Sequence, residues 1–380
     1  MRFRLLSLCS LDKTWGTGVR IALYVTGHGF GHATRQVALL EELSRMGSLE
    51  VLLRTEAPQE LFDETGLNLR VVSDRFDVGM IQASALTVDI PATFAAHHAV
   101  VTEFDSLVAK ERARLIEFSP DIVLSDCGAV PMEAARGLDI PAITIGSFTW
   151  DWILEEFAKT DPRWEPIVRR YAKAYAAADA YWRLPFHGKD GQAFKTVRDF
   201  PHLVRRPRME RAETLSALGL PVDEERAIVT VAFGGFETQE FTGADPELPE
   251  NCVFVGFTEP PPGFKKPWIR LPKQSPVRTV DLARVTSVLV GKLGYGTVAE
   301  CLVYGTRMLY VPRPGIREIP FIEREAHSRG GFRKLSADDF YSARWKASID
   351  AILEIPVPAF TPGDGAEHIA KALFEKMRVA

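Results

Sequence analysis

From Arg20 onward the apolar residues gather into short β-branched and aliphatic runs, and these alternate with longer stretches of helical periodicity. That alternation is the pattern of βαβ units, in which helices cover both faces of a parallel sheet. In the first half the predicted strands are Ile21 to Thr26, Val51 to Arg54, Leu69 to Ser73, Ile122 to Ser125, Ala142 to Ile145 and Tyr181 to Leu184. Between the first two, Val37, Leu40, Leu43 and Met46 recur at every third position and so share one face of a helix lying on the sheet. The pattern starts afresh with Ile228 to Val231, Val253 to Val255, Val288 to Val290 and Met308 to Val311.

Between the two series lies an arginine-rich stretch that also holds Pro201 and Pro207, which predicts a linker near 205–224. The expected organisation is a loose extension over 1–19, a first Rossmann-like domain over 20–205 and a second over 206–380. The fold class is α/β, with two doubly wound domains facing across a cleft. The proline-rich loops at 258–267 and 312–320 break helix and strand alike and are expected on the cleft side.

A chain of 380 residues exceeds what one core usually serves, which agrees with two domains. The formal net charge of −4 argues against a general nucleic-acid binder, which would show a basic surplus. No apolar run approaches the roughly 20 residues needed to cross a bilayer, and peripheral contact with a membrane is the only membrane role left open. Cys9, Cys127, Cys252 and Cys301 form no CxxC pair, so neither a zinc ribbon nor a disulfide framework is indicated, and a reducing cytoplasm is the expected location. The apolar stretch Leu5 to Cys9 falls short of a secretory signal core, and the Leu-Ser-Leu before Cys9 lacks the small residue of a lipoprotein signal.

Two clusters carry candidate chemistry. Gly27-His28-Gly29-Phe30-Gly31-His32 follows the first predicted strand directly and leads into a helix. Ligands in this class of fold bind at the carboxyl edge of the sheet, where this loop lies. Imidazole is neutral near pH 7, as a general base must be. Asp126 directly follows another predicted strand and could hydrogen-bond the far nitrogen of a histidine, fixing its tautomer. A plain helix-capping role for the histidines is the competing reading.

The second cluster is Gly291-Lys292-Leu293-Gly294-Tyr295-Gly296-Thr297, between a predicted strand and a helix. Backbone N–H groups and the positive end of a helix dipole then point at a phosphate, with Lys292 as an added charge. An ordinary βα turn would use the same glycines. It is not a Walker A loop, so ATP hydrolysis is not implied. No convincing metal-binding carboxylate pair stands out, and no cofactor is expected.

With both clusters in hand, the chain resembles the GT-B glycosyltransferases, among them the lipid-linked GlcNAc transferase of peptidoglycan synthesis and the plant small-molecule UDP-glycosyltransferases. It is more similar still to the glycosyltransferase-like amino-terminal half of plant L-arabinokinases. The similar stretches are Tyr24-Val-Thr-Gly-His-Gly-Phe-Gly-His-Ala-Thr-Arg35, Phe148-Thr-Trp-Asp151, Arg183-Leu-Pro185 and Gly291-Lys-Leu-Gly-Tyr-Gly-Thr-Val-Ala-Glu300, within about residues 20–335. The sugar-kinase half of those plant proteins has no counterpart in this sequence, so kinase activity is not carried over.

The resemblance implies His32 as general base and Asp126 as its support. On the donor side it implies Gly234, Gly235, Lys292, Gly294, Gly296 and Thr297 near the phosphates, Glu300 on the ribose, and Arg317 and Glu318 at the sugar. His28, Phe148 and Trp150 are the expected acceptor side, with a purely core role as the alternative for the aromatic pair. Lys292 replaces a histidine of the family pattern, Gln274 stands where a tryptophan would stack on uracil, and Arg317-Glu318 replaces an acid-amide pair. These departures leave base and sugar open. The implied activity is a metal-independent, inverting transfer from a nucleotide-sugar, UDP-linked, to a hydroxyl acceptor. A nucleotide-sugar 2-epimerase and a non-catalytic sugar-nucleotide-binding module are the alternatives.

Overall fold

The computed structural model describes residues 18–84, 86–233, 241–242, 246–272 and 275–379. The donor-side positions Gly234 and Gly235, Gln274, and residues 1–17 of the amino-terminal stretch lie outside these.

Seven strands form the first sheet: β1 (Val19–Val25), β2 (Leu49–Thr55), β3 (Leu69–Val72), β4 (Ile122–Asp126), β5 (Ala142–Gly146), β6 (Ala180–Arg183) and β7 (Val197–Asp199). Six form the second: β8 (Ala227–Ala232), β9 (Cys252–Gly256), β10 (Trp268–Arg270), β11 (Val288–Lys292), β12 (Arg307–Val311) and β13 (Phe332–Lys334). Every pairing between these strands is parallel. The spatial orders are β3-β2-β1-β4-β5-β6-β7 and β10-β9-β8-β11-β12-β13. Each order reverses once, between β1 and β4 and between β8 and β11. At such a switch point the two loops leaving the strands diverge to opposite faces, and the crevice between them is where doubly wound sheets bind ligands.

The central strands are buried on both faces, and β4 and β5 expose none of their residues. A continuous apolar run is the signature of that position. The helix Phe30–Met46 covers one face of the first sheet with Val37, Leu40 and Leu43 buried and Met46 packed at the margin, the face set by the spacing of three. Among the described residues the three strands absent from the sequence reading are β7, β10 and β13. Each is a three-residue edge strand with charged or half-exposed positions, so no apolar run marks it.

Two further departures involve helices. The stretch read as a linker contains the helix Arg211–Ala217, started by a capping box between Glu210 and Glu213. Its Leu215, with Leu218 just beyond, is buried against Val277, Leu282 and Val285 beside the second sheet. The last helix, Gly365–Val379, returns to the first sheet, where Ile369, Ala370 and Leu373 join the core beneath the Phe30–Met46 helix.

Candidate active site

Strand register places the first cluster. Val25 pairs with Asp126, so the histidine loop leaves β1 beside the carboxylate that ends β4. The helix begins at Phe30, which brings His32, Arg35 and Gln36 onto one face one turn apart. All three reach Asp126. His32 Nδ1 lies 2.7 Å from Oδ1, Arg35 Nε donates to Oδ2 at 2.6 Å, and Gln36 Nε2 donates to Oδ2 at 2.8 Å. Arg35 Nη2 also donates to Oδ1. Burial pushes the Asp126 carboxyl up, but Arg35 and His32 outweigh it and hold the group well below the usual carboxylate range.

His32 Nδ1 meets both the carboxylate and Arg35 Nη2, the latter at 2.9 Å. Nδ1–H donating to Asp126 satisfies the carboxylate and leaves Nε2 as the acceptor. Burial lowers the affinity of His32 for a proton, with Arg35 adding to that and Asp126 opposing it, and the net direction is down. His28 is half-buried on the loop before the helix. A Cβ on Gly79 would fall 2.2 Å from its ring, so only glycine lets that segment support it. Burial, then the charges of His32, Arg313 and Lys292, hold His28 down to about 3, which leaves it neutral across the working pH range.

The second cluster sits at the other switch point. Lys292 ends β11 opposite Val311 of β12, and Arg313 follows two residues on, so both cations reach one cleft. Burial, and then the Arg313 charge, bring the Lys292 ammonium down to about 6. The helix Tyr295–Tyr304 starts at Gly294 with neither a side-chain cap nor an acid in its first turn, and the Phe30–Met46 helix starts at Gly29 in the same way. Both helix starts line the same cleft. A Cβ on Gly296 would stand 3.7 Å from the Cα of Gly31.

One cleft therefore holds His28, His32, Phe148 and Trp150 from the first half with Lys292, Gly294, Gly296, Thr297 and Glu318 from the second. Phe148 stacks on Tyr295 across the gap at 5.6 Å, and Trp150 lies edge-on to His28 at 6.3 Å. Phe148 and Trp150 are buried and also line the cleft. Glu318 points inward with Oε2 buried and unpartnered among the described residues.

Two expected donor residues face elsewhere. Glu300 is 3.4 Å from Arg205 Nη2, outside the cleft lining. Arg317 lies over Trp152 at 4.5 Å and pairs with Glu155 at 2.7 Å, which makes it a tie between the halves. Arg35 and Arg313, by contrast, are site residues that sequence reasoning missed. Arg35 stands at the end of the quoted histidine motif on the helical face of His32, and Arg313 stands just past a strand's carboxyl end. His32, Asp126 and Cys127 offer atoms within 4.8 Å of one another, as a metal site would. Arg35 Nη2 already touches all three, with Cys127 Sγ at 3.5 Å, so a guanidinium occupies that position.

Residues 19–155 match the model of glycosyl transferase family 1. The chain is 29% identical over 367 residues to L-arabinokinase of Arabidopsis thaliana, covering 94% of this chain. It spans about a third, 34%, of that relative's length. Among solved structures it is similar to a UDP-glucosyltransferase from Polygonum tinctorium capable of glucosylating indoxyl and 3,4-dichloroaniline, with TM-score 0.59, 13% identity and coverage of 96% and 94% of the two chains. S. aureus MnaA, solved with UDP, gives TM-score 0.59, 10% identity and coverage of 95% and 98%. The architecture of two Rossmann-like sheets around a shared cleft is thus the GT-B fold of the glycosyltransferases.

Proposed function

We propose that the protein is a glycosyltransferase that moves a sugar from a nucleotide-sugar, UDP-linked, to a hydroxyl acceptor with inversion at the anomeric carbon. The observation that carries this is the convergence of two uncapped helix N-termini, Lys292 and Arg313 on one cleft, opposite the His32–Asp126 pair. Positive charge on one wall suits a diphosphate, and a neutral imidazole on the other suits an acceptor hydroxyl. The resemblance to L-arabinokinase and the match to a glycosyl transferase family support the same reading.

In the proposed step His32 Nε2 takes the acceptor proton while the acceptor oxygen forms its bond to the anomeric carbon. On the far side the bond from that carbon to the diphosphate oxygen breaks, and the diphosphate leaves with the electron pair. Stabilising that growing charge is the larger task. The N–H groups at Gly294 to Thr297, Lys292 and Arg313 meet it without a divalent ion. Phe148 and Trp150 would form the acceptor wall.

The test is a thermal-shift and turnover screen with UDP, GDP, dTDP and ADP sugars. A true donor at a hundred times its Kd is expected to stabilise the fold by about 2.7 kcal/mol, and a labelled donor with a hydroxyl acceptor is expected to yield an inverted glycoside. Binding without turnover would favour a sensor, a sugar epimerised without transfer would favour a 2-epimerase, and no shift with any of the four would remove the donor site altogether.

A further inference from the structure

In the His32–Asp126 pair the carboxylate is not the histidine's alone. Arg35 reaches Asp126 through Nε at 2.6 Å and through Nη2, and Gln36 adds a third donor at 2.8 Å. The same Nη2 lies 2.9 Å from His32 Nδ1 and 3.5 Å from Cys127 Sγ. All of these side chains are buried, Asp126 fully and Arg35 at 5% exposure. An aspartate left with a histidine as its only partner stabilises the imidazolium and raises its proton affinity. Here a cation stands closer to the carboxylate than the imidazole does.

We propose that Arg35 is a positioning residue for the reaction: it holds Asp126 so that His32 keeps the Nδ1–H tautomer, and it cancels the carboxylate charge so that the ring stays neutral under mildly acidic as well as neutral conditions. Of the groups facing His32, Asp126 favours the charged ring, and burial and the Arg35 cation oppose it. Arg35 lies on its own helix and His28 on the preceding loop, Asp126 and Cys127 come from the end of β4, and Lys292 and Arg313 line the cleft from the second half. Among the described residues that contact His32 or line the cleft, the acids are Asp126, already paired, and Glu318, and Glu318 lies on the second half's side of the cleft. The net lowering of the His32 proton affinity, with Arg35 among its causes, agrees with that arrangement. The ring of an unpaired dyad would instead be lost to protonation as the medium became mildly acidic.

This inference rests on His32 acting as the base, so the test reads the ring itself as well as turnover. In protein labelled with ¹⁵N-histidine, the His32 signals are identified by their absence from His32→Gln. They are expected to show the Nδ1–H tautomer and to titrate below the free value of about 6.5. Arg35→Gln keeps a hydrogen-bond donor without the charge and is expected to move the titration up by about one pH unit. The acidic limb of kcat/KM should move with it. Arg35→Lys restores the charge and is expected to bring both back. A wild-type ring titrating at or above the free value overturns the proposal. So does an Arg35→Gln ring that titrates with the wild type, or an Arg35→Lys ring that shifts as far as Arg35→Gln. If Arg35→Gln does not fold, the wild-type titration and tautomer decide alone. These readouts need no turnover, so failure of the glycosyltransferase reading would show separately in the donor screen.

Discussion

At the scale of single residues, the protonation of Lys292 links chemistry to binding. Its ammonium is buried beside Arg313 and held down to about 6, so in the empty protein at pH 7.5 the amine is mostly neutral. A bound diphosphate favours the charged form and raises the group again. Between pH 6 and the raised value, binding takes up a proton, and affinity falls as pH rises through that window. Calorimetry with UDP at pH 7.5 in two buffers of different ionisation heat should show this uptake, and Lys292→Met should abolish it along with about 1.5 to 3 kcal/mol of affinity. Equal heats in both buffers would mean that Lys292 does not face the phosphates. His32 belongs to the other wall. His32→Ala is expected to lower turnover by roughly 10² to 10⁴ with donor affinity nearly unchanged, because the proposed base acts on the acceptor. Asp126→Asn should do less harm, and the two losses should not add, since without His32 the carboxylate has nothing to orient. Additive losses would show that Asp126 acts through something other than the ring.

At the scale of elements, what was legible in the sequence follows from which forces leave a local trace. The ten strands read from apolar runs all occur; most are buried on both faces and so must be apolar throughout, and the edge strand Leu69–Val72 keeps three aliphatic residues in four. The edge strands Val197–Asp199, Trp268–Arg270 and Phe332–Lys334 carry charge and escaped. The His32–Asp126 pair was legible because both residues follow strands at the sheet's carboxyl edge. Arg35 was visible as a residue but not as a partner of Asp126, since the contact spans 91 positions. Glu300 and Arg317 sit in the expected motifs, yet their directions depend on Arg205 and Glu155, which no local pattern reports. The carboxyl-terminal helix shows the same limit. Nothing in its own residues says which sheet it covers. Leu373 is fully buried in the first sheet's core, so Leu373→Ala is expected to cost about 2 to 5 kcal/mol in denaturant unfolding. A loss under about 0.5 kcal/mol, the range of ordinary surface changes, would mean that the helix does not pack there.

At the scale of the whole molecule, the cleft exists only while the halves stay together, and several ties hold them. Leu86, from the segment after β3, is buried in the core of the second sheet, and Arg313 donates to Gln82 of that segment at 3.0 Å. Arg205 reaches Glu64 at 3.4 Å and Thr279 at 2.6 Å. Arg317 is the tie nearest the aromatic wall, with its guanidinium over Trp152 and its charge on Glu155. An exposed ion pair contributes little by itself, but with the stacking contact the tie amounts to about 1 to 2 kcal/mol. Removing it should therefore shift the balance between closed and open arrangements without unfolding either half. Arg317→Ala is expected to enlarge the radius of gyration measured by solution X-ray scattering in the ligand-free protein. It is also expected to weaken UDP and the matching UDP-sugar by the same factor, because both depend on closure and the guanidinium stands outside the cleft lining. The family resemblance implies instead that Arg317 holds the donor sugar. That role would weaken the UDP-sugar while sparing UDP and would leave the scattering unchanged, so the ratio of the two affinities separates a residue that closes the cleft from one that reads the sugar inside it.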